Sequence, residues 1–184
     1  MRLSPPDFDN FTEEQKRVFA IIANGPRGHV RGALAMWLHR PEFAEAAQAL
    51  GAYSRFSSSL SLRLVEIGVL TLIVAWKAEF AWWGHSQIAL KAGLSPDVIE
   101  AIRTGQRPQL DSAEDYATYE LALALGRDRA VPKELHDRAI ADLGPDRTID
   151  LIGVLGYYGI VCMTVVTFDL VAEGQPRQFG PQPD

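Results

Sequence analysis

Cysteine is nearly absent. Cys162 stands alone in 184 residues, which leaves no intramolecular disulfide and no zinc site built on paired thiolates, and fits a reducing cytosol. Basic charge is short as well: 18 Lys and Arg face 23 Asp and Glu, for a formal charge of -5 and a pI near 5.4. No basic field therefore draws DNA, RNA or an anionic membrane surface, and nucleic acid is not an expected partner. Residues 1–12, MRLSPPDFDNFT, lack the apolar core of a signal peptide, so export is not expected and a cytoplasmic location is. Strict apolar alternation is missing throughout, which speaks against half-exposed strands. No fixed-period repeat and no low-complexity block occurs.

Helical periodicity is what the chain has. Thr12 and Gln15 have capping-box spacing ahead of EEQKRVFAIIAN, and Gly25 can close that helix in the left-handed conformation. The glycine-rich, basic stretch 25–32 (GPRGHVRG) reads as an irregular loop, followed by the short helix ALAMWLH. Pro41 suits the first turn of a helix running to about Phe56, and a serine of the Ser57–Ser59 triplet can cap the next segment, LSLRLVEIGVLTLIVAW. The segment AEFAWWGHSQIALKAG ends at Gly93, Ser95 and Pro96 open another helix, and Asp111 with Glu114 has capping-box spacing. Pro132 opens a helix that stops at Gly144, and a last one runs from about Asp146 to Ala172. The pattern predicts an all-α fold of seven or eight helices in one domain, residues 1–172. The polar tail 173–184 is expected to be extended or disordered unless it docks on a neighbour.

Two apolar runs resemble membrane spans. Ile67 to Trp76 has only 10 uncharged residues and is too short. Leu151 to Phe168 has 18, but acidic residues flank it, and Gly153, Gly156 and Gly159 suit close approach of another backbone. A buried core helix or an oligomer interface is the expectation, and no membrane is.

His85 shares an apolar helical stripe with Ala78, Ala81, Trp82, Ile88, Ala89 and Ala92, so it faces the core, either as a hydrogen-bonded core group or as a general acid/base. Glu66 and Glu79 sit in mostly apolar stretches where an unpaired carboxylate is costly, so each needs a partner. One straight helix would hold Glu66 and His85 about 28 Å apart. A reversal near Trp76–Ala78 would let them meet, yet no Gly or Pro marks it. Residue pattern alone leaves both geometries open.

The run RLVEIGVLTLIVAWKAEFAWWGHSQIALKAGLS resembles the signature region of the carboxymuconolactone decarboxylase family, within the superfamily of alkylhydroperoxidase AhpD-like proteins. The peroxidase branch carries a helical glutamate, a C-x-x-C pair and a histidine. On this chain these fall on Glu66, on Ala78 and Ala81, and on His85. The thiols are missing, so dithiol peroxidase chemistry is disfavoured while the acid/base frame remains. The resemblance implies an AhpD-like helical bundle with a helix turn near residue 77, assembled as a homo-oligomer, trimer or hexamer, with neither metal nor organic cofactor. It also implies decarboxylation of a small anionic lactone or related carbonyl compound. There His85 would act as proton donor or shuttle, Glu66 would orient it, and Glu79 is a candidate second carboxylate.

Candidate substrate-binding residues are His29 and Arg31 of the glycine-rich loop, flanked by Arg27, together with Arg55, Trp82 and Tyr157. Arginine pairs with carboxylates, and tryptophan offers a stacking wall. At least one of Tyr157 and Tyr158, in a very apolar helix, needs a buried hydroxyl partner: a substrate oxygen or the Glu66 carboxylate. His39 and His136 read as surface residues. The alternative functions are a non-catalytic helical oligomer that binds a small ligand, and isomerase or hydratase chemistry on the same scaffold.

Overall fold

The computed structural model describes residues 1–181. Eight α-helices and no strand occur among them: α1 (Glu13–Asn24), α2 (Ala33–Trp37), α3 (Pro41–Phe56), α4 (Leu62–Trp76), α5 (Glu79–Lys91), α6 (Pro96–Arg103), α7 (Ala113–Leu123) and α8 (Lys133–Thr167). A short 3-10 turn, Phe8–Asn10, precedes α1, and one π-helical turn, Ala124–Asp128, follows α7. The all-α expectation of seven or eight helices holds.

α4 is the central rod. Every residue from Leu64 to Ile73 is buried, and the helix packs against α5, α6, α7 and α8. Its apolar side chains each contribute roughly 1.5–3 kcal/mol by burial. Glu66 lies fully inside this layer.

Local chemistry explains where the helices start. Thr12 and Gln15 form the anticipated capping box of α1. Gly25 does not turn left-handed: its φ is -77°, and the chain leaves α1 through a turn that the Gly28 N–H closes on the Gly25 carbonyl. The serine triplet does not cap α4, because the N–H and Oγ of Ser59 both donate to Asp150 Oδ2 at 2.6 Å. Ser61 caps instead, its Oγ accepting from the Leu64 N–H. Likewise Asp111 gives its carboxylate to Arg63 at 2.6 Å, so the cap of α7 moves one residue to Ser112.

Lys77 makes the reversal between α4 and α5. It adopts the left-handed conformation (φ 54°, ψ 42°), uncommon for a side-chain-bearing residue, and only Lys77 and Ala78 separate the two helices. The two form an antiparallel pair. α8 breaks at Gly144 (φ 78°, ψ 166°), with Pro145 opening its second half, as the anticipated stop implied. By length and composition α8 is apolar enough to cross a membrane, while it packs against α2, α3, α4, α5 and α7.

α8 ends at Thr167, short of the expected Ala172. The tail beyond it folds back on its own chain. Arg177 pairs with Asp169 through two bonds of 2.9 and 2.7 Å, and Phe179 packs edge-on against Trp82 at 5.6 Å between ring centres. Residues 182–184 of that tail lie outside the described residues.

Candidate active site

Glu66 projects from the middle of α4 and His85 from α5, and the turn at Lys77 sets them side by side. Glu66 Oε2 is 2.8 Å from His85 Nδ1. A carboxylate only accepts, so Nδ1–H donates and the ring's free nitrogen is Nε2. The glutamate side chain is sealed in the core, at 1% exposure, while the imidazole keeps 11%.

That exposed edge faces a cleft of about 130 Å³ between the 25–32 loop, α3, α5 and α8. Its walls include Arg27, His29, Arg31, Arg55, Phe80, Ala81, His85, Tyr157 and Tyr158. Three guanidinium groups and, among the described residues, no carboxylate line it, in a chain of net charge -5. A focused positive potential attracts a small anion. Burial, and then the Arg31 charge, hold His29 below the ordinary imidazole value, so it is a neutral hydrogen-bonding group at pH 7.

Two close backbone approaches build the arginine wall. A Cβ on Gly32 would stand 2.2 Å from the Phe80 ring, so only glycine lets the loop lie on α5, and its φ of 59° suits glycine too. A Cβ on Gly51 of α3 would stand 2.3 Å from Tyr157 Cζ and 2.4 Å from Arg27 Nη2. In that space Arg27 Nη2 donates to Tyr157 Oη at 3.0 Å, with the guanidinium carbon 5.5 Å from the ring centre. The neighbouring Tyr158 sets its ring perpendicular to His85, 4.7 Å away. Three buried polar atoms of this region have no hydrogen-bond partner among the described residues: Arg27 Nε, Glu66 Oε1 and Tyr158 Oη.

The structure thus brings together His85, Glu66, Arg31, Arg55, His29 and Tyr157. It does not bring Trp82 or Glu79. Trp82 is buried against Phe179 and does not line the cleft. Glu79 is 2% exposed, and its two oxygens accept the backbone N–H groups of Gln178 (2.8 Å) and Phe179 (2.7 Å). The carboxylate at the start of α5 anchors the tail and does not line the cleft that His85 faces. Arg27, named in the sequence as a flank of His29 and Arg31, and Tyr158, named there as one of a pair, both line the cleft. Their only sequence signals were a basic loop and a tyrosine pair, with nothing to show which tyrosine is free.

Burial pushes the Cys162 thiol up to about 12, so no thiolate forms near neutrality. His39 and His136 lie at the surface, as expected. Among the described residues no group of three or more His, Cys, Asp or Glu could hold a metal ion. A larger surface cavity, about 360 Å³, lies between Leu3, Trp37, Phe43 and Phe168; it lacks a comparable set of convergent titratable groups.

A search of curated proteins gives no match. The pattern of the carboxymuconolactone decarboxylase family matches residues 41–124, from the start of α3 into the π-helical turn. The matched part holds Glu66, His85 and Arg55; the glycine-rich loop and the tyrosines of α8 lie outside it. Residues 41–124, a little under half of the chain, are thus similar to the carboxymuconolactone decarboxylase family, the one that the Glu66-to-His85 run resembles.

Proposed function

We propose that the protein is a decarboxylase of the carboxymuconolactone type, acting on a small anionic lactone or related carbonyl compound by acid/base chemistry without a cofactor. The single observation that carries this reading is the free Nε2 edge of a Glu66-bound His85 opening into a cleft lined by three arginines and, among the described residues, no carboxylate.

Arg31 and Arg55 bind the substrate carboxylates, with His29 as a neutral donor beside them. The bond to the departing carboxylate breaks, CO2 leaves, and the electron pair flows into the conjugated carbonyl, which serves as the electron sink. For this step His85 carries a proton on Nε2 as well as on Nδ1; it delivers the Nε2 proton to carbon and is left as the neutral ring, which Glu66 holds by its Nδ1–H. Water restores the proton. Tyr157 acts through Arg27, which it fixes in the wall.

The protein is proposed to work in the cytoplasm as a homo-oligomer, trimer or hexamer, rather than at a membrane or on nucleic acid. Exposed Ile149, Ile152 and Met163, with open space over Gly153, Gly156 and Gly159, give the second half of α8 a face on which another copy can pack. A non-catalytic binder of a small ligand is the second reading; what speaks for catalysis is that an oriented imidazole, and not only arginines, lines the cleft.

The test is loss of lactone absorbance and release of CO2 from 4-carboxymuconolactone. Wild type should turn over, and His85→Ala should lose about 10²–10⁴ in kcat with the fold intact by circular dichroism. Wild-type rates in His85→Ala would remove the imidazole from the mechanism. Turnover of a related lactone by isomerisation or hydration, without CO2, would move the reaction class while keeping the site.

A further inference from the structure

Tyr157 and Tyr158 follow one another on α8 and both line the cleft, yet their hydroxyls are not equivalent. Tyr157 Oη accepts from Arg27 Nη2 and is fixed there. Tyr158 Oη is buried with no hydrogen-bond partner among the described residues, and its ring stands edge-on to His85 at 4.7 Å. Tyr158 is 2% exposed. A buried hydroxyl without a partner is uncommon in a folded protein and calls for a specific explanation.

From this arrangement we infer that Tyr158 is a further catalytic residue, the hydrogen-bond donor to the carbonyl oxygen that becomes an enolate oxyanion. The inference rests on the decarboxylase reading above and adds a residue to it. As the carbon–carbon bond breaks and CO2 departs, the bonding pair moves onto that oxygen, and the Tyr158 O–H shares its hydrogen with it. The pair returns to carbon when His85 Nε2 supplies the proton, and Tyr158 keeps its own. Burial raises the Tyr158 pKa, with Glu66 and Tyr157 adding to the rise and Arg55 and Arg27 opposing it, so the phenol stays protonated and can donate. An oxyanion donor already in place costs no reorganisation at the moment of reaction.

Glu66 Oε1, also buried and unpartnered, is the competing acceptor for this hydroxyl. Tyr158→Phe separates the two. The probes are 4-hydroxy-3-nitrobenzoate, whose ionised phenol mimics an oxyanion on a carboxylate-bearing ring, and 3-nitrobenzoate, which lacks the hydroxyl. Affinity is measured by titration calorimetry, and melting temperature is measured on both proteins. Expected is a loss of tenfold or more in affinity for the phenolate, unchanged affinity for 3-nitrobenzoate, no fall in melting temperature, and a lower kcat on 4-carboxymuconolactone. Equal phenolate affinity in the two proteins overturns the inference. If that equality comes with a lowered melting temperature, Tyr158 serves Glu66 instead. Equal loss for both acids also overturns it, since the cleft itself has then changed. Should His85→Ala abolish turnover while Tyr158→Phe matches wild type in rate and binding, only this inference falls. A wild type that binds neither acid overturns the anion cleft, and both readings with it.

Discussion

Glu66 Oε2 lies 2.8 Å from His85 Nδ1, across a helix pair, although nineteen residues separate them in the chain. This contact converts a core histidine into an oriented one, because the nitrogen that faces the cleft is fixed by the nitrogen that does not. Glu66→Gln keeps an acceptor for Nδ1–H and removes the negative charge. A drop in kcat on the lactone, smaller than that of His85→Ala, is expected, with KM nearly unchanged since the substitution leaves the arginine wall in place. An unaltered kcat would mean that the carboxylate is merely structural.

Asp150 makes a second buried carboxylate junction, tying α8 to the end of α3 and the loop after it. The Ser59 hydroxyl, then the Tyr53 hydroxyl, hold its pKa below the ordinary carboxylate value. A depressed folded pKa adds stability above the unfolded value, about 3.9, and that stability is lost as pH falls through the folded one. Wild type should therefore melt progressively earlier on acidification below about pH 4. Asp150→Asn should be less stable at neutral pH by roughly 1–3 kcal/mol and should lose part of that acid slope. Thermal melts from pH 3 to pH 7 read both effects.

Gly51 holds open the space in which Arg27 meets Tyr157. Its replacement by alanine forces those groups apart, since the new methyl would lie 2.3 and 2.4 Å from them. The expected result is a loss of about 1–3 kcal/mol in stability, as for overpacking generally, together with a raised KM from a displaced arginine wall. Gly153→Ala is the control: no atom lies within 4 Å of its added methyl, so no clash within the protomer follows. Denaturant melts and steady-state kinetics on the two variants make the comparison.

Glu79 is a buried acid with two backbone partners in the tail. Glu79→Ala should cost on the order of 1–3 kcal/mol, because two backbone N–H groups of the tail lose their acceptor, while kcat stays near wild type. Loosening of the tail should also change Trp82 fluorescence, as Phe179 leaves its ring. A collapse of kcat with stability unchanged would return Glu79 to the chemistry.

Elements written in short-range chemistry were legible in the sequence. The Thr12–Gln15 box, Pro41, Ser95 with Pro96, and the Gly144 break each act within a turn or so of their own position, and each appears where the pattern puts it. Ser59 and Asp111 behave otherwise, because partners 91 and 48 residues away claim their side chains. The α4–α5 reversal was hidden for a related reason. It rests on a lysine held in the left-handed conformation, and residue type gives no warning of that. Within the site, the family pattern pointed to Glu66 and His85. Arg27 and Tyr158 depended on tertiary neighbours, Gly51 and the His85 ring, that no local spacing reveals. The partner that Glu79 was expected to need is the backbone of the tail, 99 and 100 residues away, which no local spacing reveals.

The contact that the two-residue link at Lys77 and Ala78 sets up has a consequence for how such a protein can change. Each residue of an α-helix advances the side chains by about 100°. Adding or deleting a single residue in α5 between Glu79 and His85 would swing the imidazole around the helix axis, away from the carboxylate. A length change there would part the imidazole from the carboxylate, whereas side-chain exchange on the 25–32 loop and α8 would reshape the cleft and leave that contact in place.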